Sequence, residues 1–327
     1  MSAEVLFAVT EDGWQLPLHV LSAPKPRFHS PVLMVHGLGT NRLNLDLDVH
    51  LSLARAARDR GFNVYLLELR GSGLSRPPEG RAIADFEWGF GEHREMDMPA
   101  AVLKVLAHSG AQGLHGLGHS MGGLLWCALA TRRPPELRSV TTIGSPLLSA
   151  VKLNARERHL LNFATRFAPA NALRRVPIKP LLFAAGTFIS VSSKLADGML
   201  LNADNCDEEV MARIAREGID DVPMKLLLEI GAETRGEAGD DSPYRFEKDL
   251  DRITVPVHVV SGSVDRLAPK AAVLALSARI RSSDVRYREM GKASGDTADY
   301  GHGDLLVGRS APKEVFPILL DFLEQVD

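Results

Sequence analysis

The chain of 327 residues reads as an α/β protein: a mostly parallel central sheet with helices on both faces and an inserted helical cap. Three observations predict this. Short apolar runs bounded by glycine alternate with amphipathic stretches at helical spacing. That rhythm stops between residues 148 and 245 and then resumes. The hydrophobic content of 45%, against 24% charged residues, is ample for a large core.

Taken in order, "EVLFAV" and "WQLPLHV" form two strands joined at the Asp12-Gly13 turn, and "SPVLMVHG" is a compact apolar strand ending at a glycine. "LSLARAARDRGF" supplies a helix that stops at Gly61, followed by the strand "NVYLLEL" and the loop "RGSGLSRPP". The helix "MPAAVLKVLAHSG", with Gly110 just past its end, the buried strand "GLHGLGH", the helix "GGLLWCALATRR" and the strand "LRSVTTIGS" continue the alternation. Strands of this kind, apolar throughout, belong to a parallel sheet covered on both faces, and ligands gather at the carboxyl ends of its strands.

From 148 to 245 the segments "ARERHLLNFATRFA", "CDEEVMARIAREG" and "VPMKLLLEIGAE" are helix-like, with no strand pattern. The core is therefore expected over 1–147 and 246–327, with 148–245 as a helical cap. An interval this long is not a bare loop, and an insertion at the strand ends lies where ligands bind. "GAETRGEAGDDSP" reads as the hinge back to the core. "ITVPVHVVSGSVD" and "DVRYREM" are the returning strands and "KEVFPILLDFLEQV" the last helix.

Composition narrows the function classes. With 41 acidic and 38 basic residues the net charge is −3, so no broad positive field is available for nucleic acid or an anionic membrane. Cys127 and Cys206 have no paired spacing, which fits a reducing compartment and inert thiols. No basic, apolar leader is visible in "MSAEVLFAVT", and "PLLFAAGTFISVSS" is too short to span a bilayer; a cytoplasmic location is expected. That apolar stretch could line an acyl pocket, pack inside the cap, or make transient contact with a lipid interface.

The chemistry centres on "GHSMG", Gly118 to Gly122. The strand before it and the helix after it are what a nucleophile elbow requires, a sharp turn that exposes a serine oxygen above the sheet. Without that context the motif would be a tight turn with an ordinary hydroxyl. A serine needs a base to take its proton, and the base needs a carboxylate to fix its tautomer. Among the 11 histidines, His302 in "YGHGD" has the polar, glycine-flanked loop between the last strand and the last helix. His258 sits inside a strand, His119 is a spacer of the elbow, and His93 and His159 read as helix or surface residues. For the acid, Asp265 follows the strand end at Gly262; it could instead cap the helix after Pro269. Asp304 is the alternative acid, although its spacing from His302 favours a local loop role. The order Ser120, Asp265, His302 is the one expected on this architecture.

The stretches "VLMVHGLG", "RGSGLS", "GHSMG", "SGSVD" and "YGHGD" occur in an order and spacing that resemble the α/β-hydrolase superfamily with a helical cap, over nearly the whole chain. The resemblance implies Ser120 as nucleophile, and an oxyanion hole from the backbone N–H groups of Leu38 and Met121. It gives His36 a loop-orienting role. "HGLGTNRLNLDLD" and "GHGDLLVGRSAPKEVFPILLDFL" are also similar to acid-type lipases and to polyester synthases and depolymerases. Polyester synthases carry cysteine where this chain has Ser120, which argues against polymerisation.

The expected reaction is hydrolysis of carboxylic esters with an apolar acyl group, through an acyl-enzyme on Ser120. Transfer of the acyl group to an alcohol or thiol uses the same residues, and a non-catalytic ligand-binding protein could share the fold. No Walker, His-Glu-x-x-His or Cys/His pattern appears, so no cofactor or metal is expected. The sequence leaves the oligomeric state open.

Overall fold

The structure, a computed structural model, describes residues 4–152, 174–176 and 201–327. Its centre is an eight-stranded sheet of β1 (Glu4–Val9), β2 (Gln15–Leu21), β3 (Val32–Val35), β4 (Val64–Leu67), β5 (Leu114–His119), β6 (Leu137–Ile143), β9 (Val257–Gly262) and β10 (Val285–Met290). The spatial order is β1-β2-β4-β3-β5-β6-β9-β10. From β4 to β10 neighbouring strands run parallel, while β1 and β2 form an antiparallel hairpin that pairs antiparallel with β4.

Both faces are covered, which explains why strands such as "VLMV" are apolar at every position. On one face Leu33, Val35, Val257 and Val259 pack with α2 (Met98–Ser109), α3 (Met121–Ala130) and α6 (Lys270–Arg279). On the other, Val32, Met34, Leu117 and Val260 pack with α1 (Leu53–Arg60) and α8 (Ala311–Val326). The α1 boundaries are local chemistry: the Ser52 side chain accepts from the Arg55 N–H, and Gly61 takes a φ of 110°, where a side chain would be strained. Helix α3 lies centrally, every residue buried, with the Trp126 Nε1–H donating to the Leu117 carbonyl at 3.1 Å.

Within the expected cap interval, the described residues include the helices α4 (Glu208–Arg213) and α5 (Met224–Arg235). They also include two strand residues on each side, β7 (Arg175–Val176) with β8 (Val222–Pro223), paired antiparallel. The sequence showed no strand here because two residues carry no readable period. "ARERHLLNFATRFA" and "PLLFAAGTFISV" lie outside the described residues. Among the described residues no helix is long and apolar enough to cross a membrane.

Two cap-interval segments are tied to the sheet edge by hydrogen bonds. The Asn41 amide donates to the Glu217 carbonyl at 2.8 Å and to Asp220 at 3.2 Å, and the Asp220 N–H donates to the Gly39 carbonyl at 2.9 Å. The Asp304 carboxylate accepts from the Asn202 N–H at 2.9 Å and the Asn205 amide at 3.0 Å. Residues 217–220 therefore lie against the turn after β3, and residues 202–205 against the loop that bears His302.

Candidate active site

Strand β5 ends at His119 and α3 begins at Met121, so Ser120 must turn the chain in one residue. It does so at φ 52° and ψ −118°, a backbone conformation costly for a residue with a side chain. The turn is held from outside: the Ser120 N–H donates to the Ile143 carbonyl at 2.7 Å, and the Ser145 hydroxyl donates to the Ser120 carbonyl at 2.8 Å. Close packing explains the flanking glycines. A Cβ on Gly118 would lie 2.2 Å from the Gly122 backbone, and one on Gly122 would lie 2.3 Å from the Val35 carbonyl oxygen. Both contacts are with backbone, which cannot swing aside. Gly122→Ala is therefore expected to destabilise the fold by about 1–3 kcal/mol, read from urea unfolding; an unchanged midpoint would contradict this packing.

His302 and Asp265 come together from different loops. His302 lies between β10 and the short helix α7 (Asp304–Val307), and Asp265 follows β9. The His302 Nδ1–H donates to Asp265 Oδ2 at 2.8 Å, with both side chains buried. The other oxygen, Oδ1, accepts from the N–H groups of Leu267 at 2.9 Å and Ala268 at 2.8 Å. One carboxylate thus fixes its own turn and the imidazole together; it does not cap α6, whose N-cap residue is Pro269. Burial pushes the Asp265 pKa up, but the charge and hydrogen bond of His302 and the Ala268 amide outweigh it, and the net direction is down. Asp304 turns away from the imidazole, accepting from Asn202, Asn205 and the Gly301 N–H at 3.0 Å.

Ser120 is adjacent to this pair through the end of β6. Its N–H is bonded to Ile143, and the next residue, Gly144, would place a Cβ 3.2 Å from His302 Nδ1 and 3.4 Å from Asp265 Oδ2. The Ser120 hydroxyl itself has no hydrogen bond to another described residue, a state common in unliganded sites. On its other side a Cβ on Gly37 would sit 3.3 Å from Ser120 Cβ, so the turn after β3 abuts the serine. Met121 opens α3 and its N–H has no intrahelical acceptor; the Leu38 N–H donates to no described acceptor either. His36 holds the turn from beneath. Its Nδ1–H donates to the Gly37 carbonyl at 2.8 Å and its Nε2 accepts from the Leu69 N–H at 3.2 Å. Burial, its largest influence, keeps its pKa down, so the ring stays neutral and serves the loop.

A model of the alpha/beta hydrolase fold matches residues 30–305. The chain belongs to the α/β-hydrolase family. Among curated relatives, the chain is 35% identical over 117 residues to a triacylglycerol lipase of Pseudarthrobacter phenanthrenivorans, covering 36% of this chain and 33% of that one. It is 29% identical over 148 residues to the human lysosomal acid lipase/cholesteryl ester hydrolase, covering 41% and 36%. The chain spans about a third of the length of these relatives. Among solved structures, the Paleococcus ferrophilus monoacylglycerol lipase superposes with a TM-score of 0.62 at 18% identity, covering 95% of this chain and 99% of that one. A hydrolase from Pseudomonas aeruginosa superposes at 0.60 and 19%, covering 99% of each. These likenesses concern the fold.

His93, read as a helix or surface residue, lies in a helix but not at the surface: it is buried in the π segment His93–Asp97, with its Nδ1 2.8 Å from Asp97. The same Asp97 accepts from the Arg70 guanidinium at 2.8 Å, which also reaches Asp12 at 2.7 Å and so anchors the "RGSGLS" loop. The i, i+4 spacing of His93 and Asp97 was the available signal. His93, His36, Arg70, Leu38 and Met121 line a cavity of about 10 Å³ beside the expected oxyanion amides, room for one water and no more. No group of side chains able to hold a metal occurs among the described residues. Both cysteines are buried, and burial pushes the Cys127 thiol up to about 12.

The buried histidines are expected to make the protein sensitive to acid. His36, His115, His119 and His258 all have lowered pKa values, burial being the largest cause in each, with His119 at about 3 and His258 at about 4. In the unfolded chain each takes a proton near 6.5, so below that pH the unfolded state binds more protons and stability falls as pH falls. The raised pKa values of Glu229, Glu247 and Asp304 act in the opposite sense as pH falls through them. Unfolding free energy is expected to drop as pH falls from about 6.5 to 5, at about 1.4 kcal/mol per unit for each of His119 and His258, with His36 and His115 adding in the same direction. His258→Leu should remove one such increment, because His258 Nδ1 has no described hydrogen-bond partner. A pH-independent stability over this range would refute the linkage.

Proposed function

We propose that this hydrolase cleaves carboxylic esters through an acyl-enzyme on Ser120, with His302 as general base and acid and Asp265 as its orienting carboxylate. The observation that carries the reading is the 2.8 Å contact between His302 Nδ1 and Asp265 Oδ2 beside a strained serine elbow. With the carboxylate accepting from Nδ1–H, Nε2 is left as an acceptor, the tautomer needed to take a hydroxyl proton. Ser120 Oγ attacks the ester carbonyl while its proton passes to His302 Nε2. The charge on the carbonyl oxygen is received by the N–H groups of Leu38 and Met121, each such donor being worth roughly 3–4 kcal/mol of barrier. The tetrahedral species expels the alcohol, which leaves with the proton from His302. Water then attacks the acyl-enzyme, losing its proton to His302, and the acid departs as Ser120 regains it.

The relatives' names as lipases support an apolar acyl group, as does the apolar stretch between Lys179 and Lys194. The interval 148–245 acts as a cap: the hydrogen bonds from residues 202–205 and 217–220 to the catalytic loops support that assignment. Transient contact with a lipid interface would run through this cap. The substrate is a small apolar ester, no nucleic acid is bound, and the setting is cytoplasmic.

Nitrophenyl esters of increasing acyl length test the reading. Turnover that depends on Ser120, with an optimum above the acetyl ester, is the expected result. A folded protein that hydrolyses none of them would remove esterase activity and leave acyl transfer or ligand binding.

A further inference from the structure

His119 is the last residue of β5 and immediately precedes Ser120, yet its side chain has no place in the mechanism above. It is buried at 3% exposure and makes contacts in three directions. Nε2 lies 3.1 Å from the main-chain carbonyl of His302, and Nδ1 lies 2.9 Å from Asn44 Oδ1, which also accepts from the Gly37 N–H at 3.3 Å. A Cβ on Gly37, at the oxyanion turn, would come within 3.1 Å of the same Nδ1. The ring also packs against that of His302, centroids 4.7 Å apart at 47°.

A carbonyl can only accept, so the bond to His302 places the proton of a neutral ring on Nε2. Nδ1 is then the acceptor, so the Asn44 side chain must present its NH2 there, the reverse of the Oδ1 placed at 2.9 Å, and the Gly37 N–H gives up the 3.3 Å acceptor it has in that oxygen. Burial, followed by the nearby His302, pushes the ring pKa down to about 3. His119 thus stays uncharged while its neighbour carries a proton.

We infer that His119 is a positioning residue: its side chain ties the strand end that carries Ser120 to the backbone of His302, and so sets the approach of hydroxyl to imidazole. The inference rests on the roles proposed above for Ser120 and His302. Such control matters because a misplacement of about 1 Å between reacting groups costs on the order of 100-fold in rate. The serine and the base come from loops more than 180 residues apart in sequence, and this bond joins the residue before the serine to the backbone of the base.

The test compares three variants. His119→Leu keeps apolar volume and loses both hydrogen bonds. His119→Asn can retain the bond toward Asn44 but is too short to reach the His302 carbonyl. His119→Gln places an amide N–H near the original Nε2. Steady-state kinetics on a nitrophenyl ester, the rate of fluorophosphonate labelling, and thermal unfolding are measured for each. The expected result is a fall in kcat and in labelling rate of about 100-fold for the Leu and Asn variants, with KM within about twofold of wild type. The Gln variant should recover to within about tenfold of it. If the Leu variant fails to fold, the Asn variant carries the comparison. Wild-type kcat in a folded Asn or Leu variant would overturn the inference, as would a Gln variant no better than Asn. Wild-type protein that fluorophosphonate does not label would instead overturn the serine-hydrolase reading on which the inference stands.

Discussion

Ser120→Ala is expected to lower kcat for ester hydrolysis by about 10⁶-fold while leaving the fold intact. The loss is that large because the elbow presents one hydroxyl at the end of β5, and neither flanking glycine, Gly118 or Gly122, carries a side chain that could replace it. The fold should survive, since the hydroxyl makes no hydrogen bond to another described residue and the turn is held through backbone bonds to Ile143 and Ser145. Progress curves on a nitrophenyl ester, run beside thermal unfolding of both proteins, read the effect. Loss of less than about tenfold would move the nucleophile elsewhere.

Asp265→Asn should cut kcat by about 10⁴-fold, again with little loss of stability. The geometry dictates which way the new amide points. Two N–H groups, of Leu267 and Ala268, converge on Oδ1, so the asparagine oxygen stays there and its NH2 faces His302 Nδ1. That ring nitrogen then becomes the acceptor, the proton moves to Nε2, and the imidazole can no longer take one from Ser120. Asp265→Ala should differ in kind, because it also strips both amides of their acceptor and costs about 1–3 kcal/mol of folding stability. Equal stability of the two variants would contradict the double use of this carboxylate, and an unaffected rate in the Asn variant would remove Asp265 from the site.

Much of this was legible in the sequence, for reasons that differ by residue. The strands and helices of the core follow from period and punctuation: "VLMV" is apolar because both sheet faces are covered, and α1 ends where Gly61 allows a left-handed φ. Ser120, Asp265 and His302 are set at the carboxyl ends of β5, β9 and β10 by topology that βα alternation already implies. Contacts between distant loops were not legible. Asp304 was a rival for the acid until its partners, Asn202 and Asn205, proved to lie about a hundred residues earlier. The burial of His93, read as a helix or surface residue, was hidden because pairing with Asp97, itself held by Arg70, and not apolarity, is what lets it be buried. His119 looks like a spacer because the residue between glycine and serine has no local pattern to betray the carbonyl it reaches.

The most direct test of the central claim is the reaction of the wild-type protein with a fluorophosphonate, followed by intact mass and peptide mapping. One adduct on the peptide containing Ser120 is predicted, with rate reduced in His302→Ala and no adduct in Ser120→Ala. No adduct on folded wild-type protein, or one on a different residue, would contradict it.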